Sequence, residues 1–290
     1  MLSISQWIEQ ELHNSPQISF IVSNPDSDSK AHGYKAWVNL AELYYCKLLT
    51  PEKISEDSIK LTFIKLNQKN SFHDDIVLKR EEKYGTKSKF FDIHKNEEPT
   101  FLLAYKKALE AVKIEERKEV LNLGINKGDE FELIKDILNE SSFKKINFKG
   151  VDHSQTALNY AKERFSSYSN VQFYQYDINK LLELDLPKSD LIISIGTLQS
   201  PSINYKPFLM SLVQEQLNKK DGAFILAFPN ARWIDGELIY GAKAPNYSYS
   251  EMSLLFNDVI FAKKYLQQKK FRVTLTGREY IFLTATKIRN

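Results

Sequence analysis

The chain has 290 residues, 42% of them hydrophobic and 27% charged. That is globular composition, long for one ordinary domain and comfortable for one domain with a sizeable extension. A net charge of +3, from 40 basic against 37 acidic residues, is too mild to call for a nucleic-acid partner by itself. No run approaches the apolar length that crosses a bilayer, and MLSISQWIEQELHNS is too polar for a signal peptide. The lone Cys46 can form no internal disulfide, so a cytoplasmic location without a membrane partner is expected.

In chain order, Ile18–Val22 is short and β-prone, and the Ser/Asp-rich stretch Ser23–Lys30 reads as an exposed loop. Tyr34–Leu49 has helical spacing, with Trp37, Leu40, Ala41, Tyr44, Tyr45 and Leu48 on one side, Cys46 a buried thiol within it, and Thr50-Pro51 as the stop. Ser58–Leu66 alternates as a strand, and Asn67–Glu98 is polar and irregular. Pro99 opens a helix carrying Phe101, Leu102, Tyr105, Ala108, Leu109 and Val112 at helical period.

From Glu119 the rhythm changes. Val120–Leu123 is a short strand ending in glycines; a helix (Asp129–Leu138), a strand (Asn147–Asp152) and a helix (Ser154–Phe165, Ser154 as its cap) follow. Further strands are predicted at Val171–Tyr176, Leu191–Ile195 and Ala223–Phe228, and Phe271–Thr276 with Tyr280–Thr286 reads as a closing antiparallel hairpin. The basic run from Lys263 to Arg272 reads as a solvated helix face leading into that hairpin. Alternation at this spacing predicts a mostly parallel α/β sheet with helices on both faces.

Gly124-Ile125-Asn126-Lys127-Gly128 joins a strand to a helix. Such a turn offers unpaired N–H groups and the positive end of a helix dipole, and glycine lets a ligand approach the backbone. The G-x-G-x-x-G dinucleotide pattern is absent, which disfavours a nicotinamide-dependent oxidoreductase. Asp152, at the end of the next strand, has the place of a ribose-binding carboxylate; an N-cap role explains it equally. Asp177, after the third strand, can accept from an adenine amino group with Ile178 covering the ring, or can be a turn aspartate.

Together these residues resemble the class I S-adenosylmethionine-dependent methyltransferases. The family's opening V-L-D-L-G-x-G-x-G stands here as Val120 to Gly128, its G-x-D-x-S as Gly150 to Ser154, and its fourth strand as Asp190 to Gly196. Its L-x-x-G-G-x-x-x-L-x-x-P-N run appears as Leu217 to Asn230. The resemblance covers roughly Glu119 to Asn230. It implies a Rossmann-like, mostly parallel seven-stranded sheet with an antiparallel C-terminal hairpin, preceded by a mixed α/β extension. The expected division is 1–112 for the extension, shaping the acceptor site, and 113–290 for the methyltransferase domain.

The implied cofactor is S-adenosylmethionine, with Asn122, Gly124, Asn126, Gly128, Asp152, His153, Asp177, Ile178, Ser194 and Gly196 around it. Two positions depart from the family: Asn122 replaces an acid and Asn126 a central glycine. They keep open the alternative of a non-catalytic binding or scaffold protein that retains the fold. The acceptor is expected beyond the fourth strand, at Thr197 and Gln199, and on the loop after the fifth, with Arg232, Trp233, Tyr240 and Tyr247. Asp235 and Glu237 are the candidate bases. The core has no cysteine for a covalent adduct and no Asn/Asp-Pro-Pro-aromatic signature for exocyclic amines, which argues against those two chemistries; the expected acceptor is a small metabolite or an RNA nucleoside. The histidines show no metal-ligand spacing, so no metal is expected.

Overall fold

The computed structural model describes residues 2–68, 82–241 and 252–288, with only the backbone of residues 252–254. The elements are α1 (Leu2–Asn14), β1 (Gln17–Ser23), α2 (Tyr34–Leu43), β2 (Cys46–Leu48), β3 (Glu52–Lys53), β4 (Ser58–Lys65), α3 (Pro99–Ala111), β5 (Glu119–Leu123), α4 (Asp129–Ile137) and α5 (Glu140–Phe143). Then come β6 (Asn147–Asp152), α6 (Gln155–Arg164), β7 (Val171–Gln175), β8 (Leu191–Ile195), α7 (Tyr205–Ser211), β9 (Ala223–Pro229), β10 (Ala231–Ile234), β11 (Glu237–Tyr240), α8 (Met252–Gln268), β12 (Phe271–Gly277) and β13 (Tyr280–Lys287). The chain forms two compact units: Met1–Asp74 with Trp233–Tyr240, and Asp75–Arg232 with Gly241–Asn290.

In the first unit, β4 pairs antiparallel with β1, β2 and β3. Alternation along β4 sends Ile59, Leu61 and Phe63 into a core with Ile8, Leu12, Ile18, Trp37 and Leu40. Phe20 meets Trp7, Trp37 and Phe63 edge-on, with ring centroids 5.7, 5.7 and 5.3 Å apart. One feature adds to the sequence reading and one differs from it. The stretch Leu2–Asn14 is helical, with Ile8 and Leu12 buried four residues apart. The predicted helix to Leu49 ends at Leu43 instead: Tyr45 turns to φ 54°, and Cys46–Leu48 pairs with Phe63–Lys65 as a strand. Pairing to β4 overrides a helical period that ran across the turn, because an edge strand satisfies the same backbone groups.

The second unit holds a seven-stranded sheet in the order β12-β13-β9-β8-β5-β6-β7. Strands β5 to β9 are parallel, while β13 runs antiparallel to both β9 and β12. Residues of opposite parity face opposite cores. Val120, Ile193 and Ile225 pack with α3, α4 and α6, whereas Leu121, Ile192 and Phe224 pack with α7 and α8. Each such side chain removed from water contributes about 1.5–3 kcal/mol, so the sheet is held from both faces. Helix α3 buries Phe101, Tyr105, Ala108 and Leu109 in this unit, ahead of the division expected at residue 112. The chain lays β6 and β7 on one side of β5 and returns β8 to the other, so a ligand crevice belongs at the carboxyl end of β5. This is the Rossmann-like architecture expected from the sequence.

Candidate functional site

At the end of β5 the chain makes its turn through left-handed backbone. Gly124, Asn126 and Gly128 have φ of 79°, 48° and 90°, and Gly128 caps α4. Gly124 also has no room for a side chain: a Cβ there would lie 2.0 Å from Thr197 Oγ1. Asparagine is among the few side-chain-bearing residues that tolerate this backbone region.

The turn is tied to the next strand by one carboxylate. Asp152 Oδ2 accepts the backbone N–H of Asn126 at 2.9 Å, and Oδ1 accepts that of Ser154 at 3.0 Å. Asp152 is 5% exposed. The cap of α6 is Ser154, whose Oγ accepts from Ala157 N at 3.3 Å, so Asp152 does not serve as that cap. His153 is half-exposed beside it, with Nδ1 3.5 Å from Asp152 Oδ1. Asp177 is exposed, and its Oδ1 accepts the backbone N–H of Asn179 at 3.0 Å, the local turn contact. Ile178 packs against the α7/α8-side core. Ser194, buried, donates to Leu123 O at 3.2 Å, and Gly196 turns the chain after β8 with φ 73°.

Asn122 lies at 1% exposure near the end of β5. Neither its Nδ2 nor its Oδ1 has a hydrogen-bond partner among the described residues. An unpaired buried amide costs about 1–3 kcal/mol per group, so a water or a ligand atom is the partner that this one calls for. Asn126 Oδ1 and Gln199 Oε1 are likewise buried and unpartnered among the described residues. The donor set fits S-adenosylmethionine: an amide offers both a donor and an acceptor to an amino-acid end, and buried acceptors suit ribose hydroxyls.

The loop expected after β9 is regular structure. Ala231–Ile234 and Glu237–Tyr240 form a two-stranded hairpin turned by Asp235 and Gly236, at φ 52° and 83°. Ile234-Asp235-Gly236-Glu237 is an Asp-Gly hairpin signal that the sequence reading passed over. Asp235 accepts the backbone N–H of Asn67 at 3.3 Å through Oδ2, and Glu237 is exposed. Trp233 and Tyr240 belong with these two in the first unit, and Arg232 closes the first stretch of the second. Arg232 Nε and Trp233 Nε1 are buried without a hydrogen-bond partner among the described residues. Tyr247 lies outside the described residues.

Sequence reasoning missed residues 82–98, which it took as an irregular polar stretch. They pack on the glycine turn and on the first turns of α4 and α6. Glu82 Oε2 accepts from Thr156 Oγ1, Tyr84 O accepts from Asn126 Nδ2 at 2.7 Å, and Lys127 Nζ donates to Phe91 O and Ile93 O at 2.6 and 3.0 Å. Gly85 is pressed against the same place: a Cβ there would lie 1.9 Å from Glu82 Oε2 and 2.5 Å from Thr156 Oγ1. Lys95 and Glu130 form a buried ion pair at 3.2 Å. Burial opposes the Lys95 charge, yet Glu130, Tyr280 and Asp129 outweigh it and raise its pKa. Burial raises the Glu130 carboxyl in spite of Lys95, and it lowers Lys127. The only sequence signal was a set of aromatics, Tyr84, Phe90 and Phe91, in a polar run.

A parallel sheet with a glycine turn and a carboxylate at the ends of adjacent strands defines a nucleotide-type cofactor protein. Residues 114–274, more than half of the chain, match the family described as a methyltransferase domain. The chain belongs to that family. It is an S-adenosylmethionine-dependent methyltransferase, and the structure agrees with that in fold. No curated protein matches by sequence. Among solved structures the chain is similar to a SAM-dependent methyltransferase from Aquifex aeolicus, at 20% identity and TM-score 0.50, over 73% of this chain and 100% of the other. It is also similar to precorrin-6y C5,15-methyltransferase from Geobacter metallireducens GS-15, at 12% identity and TM-score 0.43, over 63% and 87%. Among the described residues no helix is long and apolar enough to cross a membrane, and no group of three or more His, Cys, Asp or Glu is placed to hold a metal ion.

Proposed function

We propose that S-adenosylmethionine is held at the carboxyl edge of β5 and β6, with Asn122 at its amino-acid end and Asp152 at its ribose. Asp177 and Ile178 flank the adenine, and His153, Ser194 and Gly196 complete the rim. The observation that carries this reading is the Asn122 amide, buried with both ends unpartnered beneath the glycine turn. When bound, the cofactor supplies an electrophilic methyl group with a good leaving group. The chain's own residues then hold the acceptor in line and exclude water.

Thr197 and Gln199, directly after β8, are the acceptor-side residues on the same edge. Gln199 Oε1 is a buried acceptor that an N–H or O–H of the acceptor would satisfy. Arg232, in the same unit as this edge, is a further acceptor-side candidate. A base is needed only where the acceptor loses a proton. The acceptor is a small metabolite or an RNA nucleoside, and the site of action is cytoplasmic.

Calorimetry tests the cofactor assignment: S-adenosylmethionine and S-adenosylhomocysteine bind one per chain, and NAD does not. Binding of NAD alone would overturn it. Mass spectrometry of material that co-purifies, with and without ribonuclease, separates the two acceptor classes.

A further inference from the structure

Asn126 stands where the family pattern has a glycine, and the substitution has two costs. Its backbone must sit at φ 48°, and its Oδ1 is buried without a partner among the described residues. Something must offset them. The same residue makes two contacts in opposite directions. Its backbone N–H goes to Asp152 Oδ2 at 2.9 Å, and its side-chain Nδ2 goes to the carbonyl of Tyr84 at 2.7 Å. Tyr84 is half-buried here, its ring edge-on to His153 at 6.0 Å and to Phe90 at 5.1 Å. Segment 82–98 is fastened on both sides of that contact. Glu82 reaches Thr156 on α6, and Thr86 N donates to Thr156 Oγ1 at 3.1 Å. At the other end Lys95 pairs with Glu130, and Asn96 Nδ2 donates to Asp129 O at 2.7 Å. The outer fastenings hold to the helices; on the turn that Asp152 closes, Lys127 holds the segment at Phe91 and Ile93, and Asn126 holds it at Tyr84, beside the carboxylate.

We propose that Asn126 is a positioning residue, a latch that holds segment 82–98 across Asp152, so that S-adenosylmethionine enters and leaves by breaking the Asn126–Tyr84 contact. This rests on the reading that the cofactor sits at Asp152. The latch retards exchange of cofactor in both directions, and the outer fastenings return the segment to its closed position. A glycine at 126 satisfies the left-handed backbone better than asparagine does but cannot hold the segment.

The test uses Asn126→Gly in the full chain, with two readouts. The first needs no ligand. Hydrogen–deuterium exchange of the amides in 82–88, around Tyr84, speeds up by about 3- to 10-fold, the scale of one lost hydrogen bond, while amides of β6, α4 and α6 keep their rates. The second is stopped-flow binding of S-adenosylmethionine, in which association and dissociation rates both rise by a similar factor and Kd changes by less than either. Unchanged exchange in Asn126→Gly overturns the latch whether or not the cofactor binds. Faster exchange with unaltered binding rates overturns the gating role. If the wild type binds no S-adenosylmethionine while exchange still responds, the cofactor assignment and the gating fall and the structural tie remains.

Discussion

The backbone N–H of Asn126 and the carboxylate of Asp152 are joined at 2.9 Å, so the glycine turn of β5 and the end of β6 are one construction. The second carboxylate oxygen holds Ser154 N, and with it the start of α6. A ligand that bonds to Asp152 therefore meets a group already oriented by two backbone donors.

Asp152→Ala is expected to weaken S-adenosylmethionine binding by about 10- to 100-fold, the loss of one or two charge-assisted hydrogen bonds. It also frees Asn126 N and Ser154 N, so stability falls by about 1–3 kcal/mol. Calorimetry reads the first effect and urea unfolding the second. A stability loss with unchanged affinity would place the ribose elsewhere.

Gly124→Ala is expected to destabilise the fold for two separable reasons. Left-handed backbone costs a non-glycine residue about 1–2 kcal/mol, and the new methyl group strikes the Thr197 side chain, whose Cβ lies 2.7 Å from the added atom. Thr197→Ala in the same background removes only part of the clash, so it should restore part of the loss and never all of it. Urea midpoints of the two single variants and the double variant give the cycle.

The Lys95–Glu130 pair makes an asymmetric prediction. Lys95→Met strands a buried carboxylate and should cost about 3–5 kcal/mol near neutral pH, while Lys95→Met with Glu130→Met should cost much less. Burial already raises the Glu130 pKa, and removing Lys95 raises it further. For a carboxyl raised in the folded state, stability is fully present below the unfolded pKa and is lost as pH rises through the folded one. The deficit of Lys95→Met should therefore narrow as pH falls. A deficit that is flat in pH would show that Glu130 is not the stranded charge.

Cys46 gives a prediction in the first unit. It is buried, and that burial pushes its thiol up to about 11, with Lys65 opposing. The folded pKa is raised, so the stability this adds is present below the unfolded value of about 8.5 and is lost as pH climbs towards the folded one. Folded protein should resist iodoacetamide at pH 8 and react in urea. The stability gap between wild type and Cys46→Ala should shrink above pH 8.5. Rapid labelling of folded protein at pH 8 would show the thiol to be open.

Much of the second unit was legible in the residues alone. Leu191–Ile195 and Ala223–Phe228 are apolar runs too short for helices, and burial on both faces is what a central parallel strand requires. Val120 to Gly128 carried the strand and its turn for a similar reason: left-handed backbone restricts residue choice, so the turn is written locally. Ser154 as the cap of α6 was legible on the same ground.

Other features were decided only in three dimensions. The strand Cys46–Leu48 was masked by a helical period, because its pairing depends on Phe63–Lys65, 15 to 19 residues further on, and not on its own pattern. Segment 82–98 left no period, since its ties to Asn126 and Lys127 run through the carbonyls of Tyr84, Phe91 and Ile93, and every residue has a carbonyl. The sequence by itself determined the sheet and the turn, because periodicity and glycine placement are local, and its resemblance to the family implied the cofactor. Only the tertiary structure decided what covers that turn, because backbone acceptors acquire meaning only when the fold brings a donor to them.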